Sequence, residues 1–404
     1  MIPTLQPALI RGVRLAFILA PLLLPDAEAA LLAHVTTTEG VITTELEYAT
    51  APLAVANFIT LSQGIRNRID PLTGAVTNTP LYVGETFFRT GDNSFSKFAQ
   101  TGSGSGSNSG STGFTFRDEF DPAIRHTGYT LSSANSGPNT NGGQVFFTGN
   151  ISIPAYDDLH TILGRVTDPA SRAVVDAVIA AGDNGSSITA VTIERTDPGA
   201  VAFDEHAQGL PTVSEVDGAF RVEPGPVAHF DPAAALPSGT LLAVRRSVNL
   251  NQWGALAGVF SGYDNAPVLS AKVDEGAGPR AFYRFATVDY AGALAPGTLG
   301  NRVLFIDAPD QGWTFTFTFD ASGTGGTCSY FDGAATSVSN IVYVYYATHG
   351  FSSTLLVDTD GLPLLRFGLG HDGSNATHVD GRHTWAVYSG GWIPYGGGTF
   401  TLTR

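Results

Sequence analysis

The residues of this chain that could do chemistry fall into a few stretches, and their types limit what each could do. The stretch "SSANSGPNTNGGQVFFTG", residues 132–149, sets Asn135, Gln144 and Phe146 around a run of turn formers. Amides and an aromatic so placed are either a site or a loop feeding a strand. The tail segment "HDGSNATHVDGRH" gathers His371, His378 and His383 with Asp372 and Asp380, and "DTDG" at 358–361 adds further oxygens. Such a set could hold a cation, but polar hairpin loops account for it at least as well, and the expectation is no metal. The Gly/Ser run at 102–113 lacks the Lys-Ser/Thr ending and the following helix of a phosphate loop. Cys328 is the single cysteine, so it cannot form an internal bridge and is expected to be a small buried hydrophobe. A formal charge of −15, with 36 acidic against 21 basic residues, excludes a nucleic-acid surface, which needs clustered cations.

The elements that must position these residues are mostly strands. The chain has 404 residues, enough for two or three domains, and its 48 glycines with only 14% charged residues fit a mainly β protein. Residues 1–29 read as a signal peptide: Arg11 and Arg14 precede the apolar run "LAFILAPLLLP", and Ala27-Glu28-Ala29 supplies the small-x-small pattern. The mature chain is then expected to start near Ala30, to be exported (periplasmic, cell-surface or extracellular), and to have no stable membrane span. "AHVTTTEGVITTELEY" alternates as a hairpin turning at Gly40, with Val41, Thr43 and Leu46 as a loose apolar row. Two helices interrupt the strands. "PLAVANFITLSQG" places Leu53, Ala56, Phe58 and Leu61 on one face between Pro52 in the first turn and Gly64 at the stop. "DPASRAVVDAVIAAG" has Asp168 as N-cap, Pro169 at the first position, Val174, Val175, Val178 and Ile179 as its buried face, and Gly182 at its end.

Beyond about Asp197 the helical signals stop and Pro/Gly/Ala loops increase. This sets the expected organisation as 1–29 leader, 30–197 first domain, 198–297 linker with a small β module, and 298–404 a C-terminal all-β domain. Within the module, "SVNLNQW" followed by "AFYRF" is similar to a small β module appended to many secreted bacterial proteins. The C-terminal region alternates: Trp313, Phe315, Phe317 and Phe319 share one face, and further strand-like runs are divided by glycine turns as in a sandwich or barrel. Trp385 and Trp392, set among glycines, are candidates for stacking on sugars, with packing in a sandwich core as the alternative.

Within 33–197 several stretches occur in a shared order: "NFITLSQG", "LYVGETFFR", "FAQTGSGSG", "FRDEF", "RHTGYTLSSANSGPNTNGGQVFFTG" and "YDDLHTILGRV". Together they resemble the cyclophilin-type peptidyl-prolyl cis-trans isomerases, with "ANSGPNTNGGQVFF" the most diagnostic. The resemblance implies a closed antiparallel eight-stranded β-barrel with two short helices and a proline-binding groove on its outer face; the sandwich- or barrel-like modules after it rest on the alternation alone. It implies Arg89 as the catalytic arginine, Gln100 as the groove glutamine, and Ala134 and Asn135 as the pair whose backbone holds an extended peptide. Phe146 would be the floor of the proline pocket, Gln144 a polar neighbour and His160 the residue closing it. Phe95 and Phe98 compete for the apolar wall, because "TGDNSFSKFAQ" is longer than the family pattern; Phe98 is preferred. Ala155 and Tyr156 stand at or near positions that hold a tryptophan and a leucine in many members, which puts cyclosporin binding in doubt more than isomerisation.

These residue types suit rotation about an X-Pro bond, which faces a barrier of roughly 18–20 kcal/mol and needs neither nucleophile nor cofactor. The twisted amide regains a lone pair on the prolyl nitrogen, which a guanidinium can meet with a hydrogen bond that the planar form cannot accept. The expected partners are proline-containing peptides and unfolded exported proteins. A rival reading makes the barrel a weakly catalytic peptide binder whose C-terminal modules contact a surface or a glycan.

Overall fold

A computed structural model describes residues 30–225, 227–260, 268–275, 281–360, 362–374 and 378–403. The expected leader, Gly361 of "DTDG" and residues 375–377 of the histidine-bearing tail lie outside them.

Alternation builds the first sheet. β1 (Leu31–Thr37) and β2 (Gly40–Leu46) pair as a hairpin that buries Leu31, Ala33, Val35, Ile42, Thr44 and Leu46. The inward row of β2 is thus Ile42-Thr44-Leu46, one residue out of phase with Val41 and Thr43, and Val41 is exposed. α1 (Pro52–Gln63) starts at its proline and stops at Gly64, whose φ of 66° is open to glycine at little cost. Ala51 offers the helix no side-chain cap; Glu119 supplies one from a distant loop, accepting from Leu53 N at 3.1 Å and Ala54 N at 3.0 Å. β3 (Arg68–Ile69) and β4 (Val76–Thr77) form a small separate ladder.

β5 (Arg89–Asp92), β6 (Lys97–Thr101), β7 (Thr130–Ser133), β8 (Val145–Thr148), β9 (Ile162–Arg165) and β10 (Ile188–Arg195) complete an eight-stranded sheet in the order β10-β1-β2-β9-β7-β8-β6-β5. The ladder is open between β5 and β10, and the chain just before β5 closes that seam. Phe87 N donates to Ser186 O at 3.0 Å, Asn184 N to Phe87 O at 2.8 Å, and Ile188 N to Glu85 O at 2.9 Å. α2 (Pro169–Ala181) is capped by Asp168, which accepts from Ser171 N, and buries Val175, Val178 and Ile179. A third helix that composition did not indicate, α3 (Pro198–Ala202), uses Asp197 as its cap and buries Ala200 in the same core.

The first core runs past residue 197. It takes in Val213, Leu241, Val288, Tyr290 and Phe351 along with the barrel residues. The intervening strands are β11 (Thr212–Glu215), β12 (Gly218–Glu223), β13 (Val227–Pro232), β14 (Thr240–Ser247), β15 (Gly254–Phe260), β16 (Ala271–Glu275) and β17 (Phe282–Asp289). They form a four-stranded sheet, β11-β17-β14-β15, and a three-stranded one, β12-β13-β16.

Eight further strands close into a second barrel in simple chain order: β18 (Val303–Ala308), β19 (Trp313–Phe319), β20 (Gly325–Phe331), β21 (Thr336–His349), β22 (Ser352–Thr359), β23 (Leu362–Ser374), β24 (His378–Tyr388) and β25 (Trp392–Thr403). Its interior is filled by side chains, with Phe315, Phe317 and Phe319 inward as their alternation requires. Trp385 belongs to this interior, 3% exposed and near-parallel to Phe367 at 6.1 Å, so it is not available to a sugar. Trp392 packs against Tyr388 at 5.5 Å and under the Arg366 guanidinium at 4.7 Å. Cys328 is fully buried, and burial pushes its thiol up to about 12.

Candidate functional site

Strand register brings the expected residues onto one surface. β5 pairs Arg89 with Gln100, and β6 pairs Gln100 with Phe146 and Phe98 with Thr148. With a side-chain period of two, Phe98 and Gln100 on β6 and Gln144 and Phe146 before and within β8 face outward, while Ala99 and Phe147 enter the barrel core. The "NGG" turn that feeds β8 is held from behind. Asn57 of α1 donates to Gly142 O at 2.8 Å and Tyr82 to Gly143 O at 2.8 Å, which fixes the phase of the strand after it.

The outward residues line a cavity of about 840 Å³. Arg89 carries the one charge among its described lining residues. Its guanidinium lies 5.1 Å from the Phe98 ring centroid and donates to Gln100 Oε1 at 3.4 Å. Gln100 Nε2 in turn donates to Gln144 Oε1 at 2.8 Å. Phe146 forms the floor: Phe98 meets it edge-on at 6.4 Å, Tyr156 at 5.7 Å and His160 at 5.3 Å. Tyr156 and His160 also touch, at 5.2 Å, and close the far side. Burial lowers the His160 imidazole to about 4, and its Nδ1 lies 3.2 Å from Ser133 O, so it is a neutral wall residue at neutral pH. Ala134 N donates to Gln144 O at 2.9 Å, so a peptide lying here would have to use the Ala134 carbonyl. The Asn135 side chain is anchored on Leu159 O at 2.7 Å.

All nine expected site residues therefore lie around one cavity. Phe95 does not: it is 86% exposed, because Asn93 turns the chain outward by accepting from Phe95 N and Ser96 N, whereas Phe98 is buried against Phe146. Ala155 is exposed and outside the lining, which leaves Tyr156 to form that wall.

Several contributors were not singled out from the sequence. His126 stacks behind Phe146 at 6.4 Å with rings 7° from parallel, held by Asp157 at 2.9 Å and Ser132 at 3.1 Å. Burial keeps its imidazole below the ordinary histidine range despite that carboxylate. The Gly/Ser run, rejected as a phosphate loop, lends Asn108 to Ser111 to the cavity, and Gln144 Nε2 ties it down on Gly110 O at 2.7 Å. Asn139 has the positive φ, 59°, expected of a turn residue, yet its side chain is fully buried and donates to Asp372 Oδ1 at 2.9 Å. The tail histidines diverge: His371 Nε2 pairs with Ser353 Oγ at 2.8 Å, His383 Nε2 with Asp307 O at 2.9 Å, and His378 lies 3.3 Å from Asp380. Among the described residues no three His, Cys, Asp or Glu side chains come together as a cation site.

The similarity to known proteins falls on the first part of the chain. Residues 32–197 match the family model described as cyclophilin type peptidyl-prolyl cis-trans isomerase/CLD. Peptidyl-prolyl cis-trans isomerase B of Streptomyces anulatus is 41% identical over 137 residues, which cover 33% of this chain and 75% of that protein. The probable peptidyl-prolyl cis-trans isomerase A of Mycobacterium leprae is 37% identical over 136 residues, 33% of this chain and 72% of its own. Among solved structures, a Cryptosporidium parvum cyclophilin type peptidyl-prolyl cis-trans isomerase aligns with a TM-score of 0.34 and 22% identity, over 41% of this chain and 99% of that one. On the strength of the curated relatives, the chain belongs to the cyclophilin-type peptidyl-prolyl cis-trans isomerase family and is an isomerase of that class.

Proposed function

We propose that this isomerase acts on X-Pro bonds of exported proteins as they fold, with Arg89 as its catalytic residue. The proline ring sits on Phe146, gripped by Phe98, Tyr156 and His160. Ala134 and Asn135 hold the flanking backbone with Gln100, while Gln144 keeps the Gly110 loop in place beside it. Rotation breaks amide resonance and makes the prolyl nitrogen pyramidal. A guanidinium already oriented by Gln100 and Phe98 can donate to the lone pair that appears only in the twisted state. The apolar wall excludes water from that hydrogen bond and strengthens it. No group is asked to accept or release a proton, which agrees with a His160 that stays neutral.

The observation that carries the reading is the Arg89 guanidinium 5.1 Å from Phe98, the one charge among the described lining residues of a pocket floored by Phe146. A chromogenic proline-peptide assay on the purified chain tests it. Arg89→Ala should lower kcat/KM by about two to three decades, the loss of some 2–4 kcal/mol of transition-state stabilisation, with unchanged thermal stability. Equal rates in the two proteins would remove Arg89 from the chemistry. Export rests on the pattern in residues 1–29, and N-terminal sequencing of the mature protein checks it. A start near Ala30 is expected, and a protein that keeps its apolar run and stays in the cytoplasm overturns it.

A further inference from the structure

The proline pocket fills only one end of the cavity. A volume of about 840 Å³ is in the upper range of pockets that bury a whole drug-sized ligand, more than one proline residue needs. The other end is bounded by the second barrel: Ser352, Ser353 and Thr354 of β22, Gly368 of β23 and Thr384 of β24 line it. Register orders most of them. Thr354 pairs with Gly368, and Gly368 with Thr384, so the three stand in one row across three strands. Their chain neighbours Leu355, Phe367, Leu369 and Trp385 point into the barrel, which directs the row outward. The glycine at its centre opens a notch between two threonines; a Cβ there would lie 3.0 Å from Thr384 Oγ1. Among the described residues this wall carries hydroxyls and no charge.

The barrel is seated in this place by a dedicated contact. The next row along the same face, Ser352-Gly370-Arg382, meets the loop that continues from Ala134-Asn135. A Cβ on Gly370 would overlap Pro138, so only glycine permits that approach. Asn139 donates to Asp372 Oδ1, and Arg382 Nη2 reaches Asp118 Oδ2 at 3.1 Å and Asn139 Oδ1 at 3.3 Å, with its Nε on Asp372 Oδ2 at 2.7 Å. Asp118 is itself held by Asn139 N at 2.8 Å and Asn141 Nδ2 at 2.7 Å. The docking row and the hydroxyl row are two residues apart on the same strands, so fixing the first fixes the second.

We propose that the second barrel is the far wall of the substrate groove. Thr354 and Thr384, on either side of Gly368, form an uncharged subsite that takes the chain flanking the proline where that chain carries small hydroxyl or amide side chains. The proposal rests on the proline-site reading above and extends it from a dipeptide to a longer segment of polypeptide. It is tested on the full chain with a short proline tetrapeptide and with longer peptides that extend the same X-Pro core with Ser, Thr and Asn on one side or the other. Affinity is measured by calorimetry and turnover by the chromogenic assay. Wild type should favour one extended peptide over the tetrapeptide. The double variant Thr354→Val, Thr384→Val, which keeps shape and strand preference, should cut that preference by about tenfold, as two lost hydrogen bonds predict. Gly368→Val, which fills the notch, should act in the same direction. A long-to-short ratio that is the same in wild type and in both variants overturns the subsite. Wild type that turns over neither peptide but still binds the extended one more tightly would instead overturn the catalytic reading and leave the subsite standing.

Discussion

The molecule contains two eight-stranded barrels that solve different problems. The C-terminal one is closed, follows chain order, has strands of up to 14 residues and is filled with stacked aromatics. The N-terminal one has short strands, several of four residues, a seam closed by irregular backbone, and long connections at 102–129 and 134–144. The closed barrel satisfies most of its backbone within the ladder, and carbonyls left over at Asp307 and His371 take side-chain donors. The irregular one must use Asn57, Tyr82, Gln144 and Glu119 to hold its loops, and the outward residues between those loops form the cavity. Most of the cavity lining comes from the irregular barrel and its loops, while the regular one adds a single face of β22, β23 and β24.

That contrast can be broken experimentally. The largest effect is expected from Phe317→Ala in the filled barrel, which should cost about 3–5 kcal/mol as a buried aromatic replaced by a void. The shift is read from denaturant unfolding followed by the fluorescence of Trp313 and Trp385. If turnover of a short peptide falls in step, the second barrel supports the pocket as well as its own core. In the irregular barrel, Phe98→Ala should lower kcat/KM by about 10–100-fold, corresponding to some 1.5–3 kcal/mol of lost apolar contact, while Phe95→Ala changes nothing measurable. The reverse order would assign the pocket wall to Phe95. A smaller effect belongs to Glu119, whose carboxyl burial pushes up to about 7 against its two backbone donors. The folded chain then binds that proton more tightly than the unfolded one, so the contribution is fullest below about 4.5 and is lost as pH rises through about 7. Glu119→Gln should flatten that part of the stability profile, and an unchanged slope would point to another group.

The least change is expected from the pocket itself. With His160 lowered to about 4, kcat/KM should stay flat from pH 8 to about 5. The stability linked to this residue is full above about 6.5 and declines as pH falls towards 4, because only the unfolded chain takes up the proton in that window. A step in kcat/KM near 6.5 that disappears in His160→Gln would contradict a neutral wall residue.

Local rules made part of this architecture readable. Pro52, Gly64, Asp168 and Gly182 bracket α1 and α2 because caps and stops act on neighbouring backbone, and the alternation from Trp313 to Phe319 gave the inward face directly. The motif from Ala134 to Phe146 drew the site residues together. What escaped were features set by distant partners. Glu119 caps a helix more than sixty positions earlier in the chain, and Asn139 reads as a turn former until Asp372 comes beside it. Trp385 looks exposed among glycines, yet Gly381, Gly396, Gly397 and Gly398 make room for neighbouring strands and loops, and the ring itself turns into the barrel. His126 lies behind the pocket and carries no spacing signal of its own. The second wall of the cavity could not be read at all, since it depends on how one barrel rests on the other.

The long separation between Asn139 and its partners also has a consequence in time. Its side chain donates to a carbonyl 212 residues later, on Phe351. At about 5–20 residues/s of synthesis, that partner emerges roughly 10–40 s after the loop. The interval is comparable with the 10–100 s of uncatalysed proline isomerisation. During synthesis Asn139 therefore waits for its Phe351 partner over an interval that overlaps the time of one uncatalysed proline isomerisation.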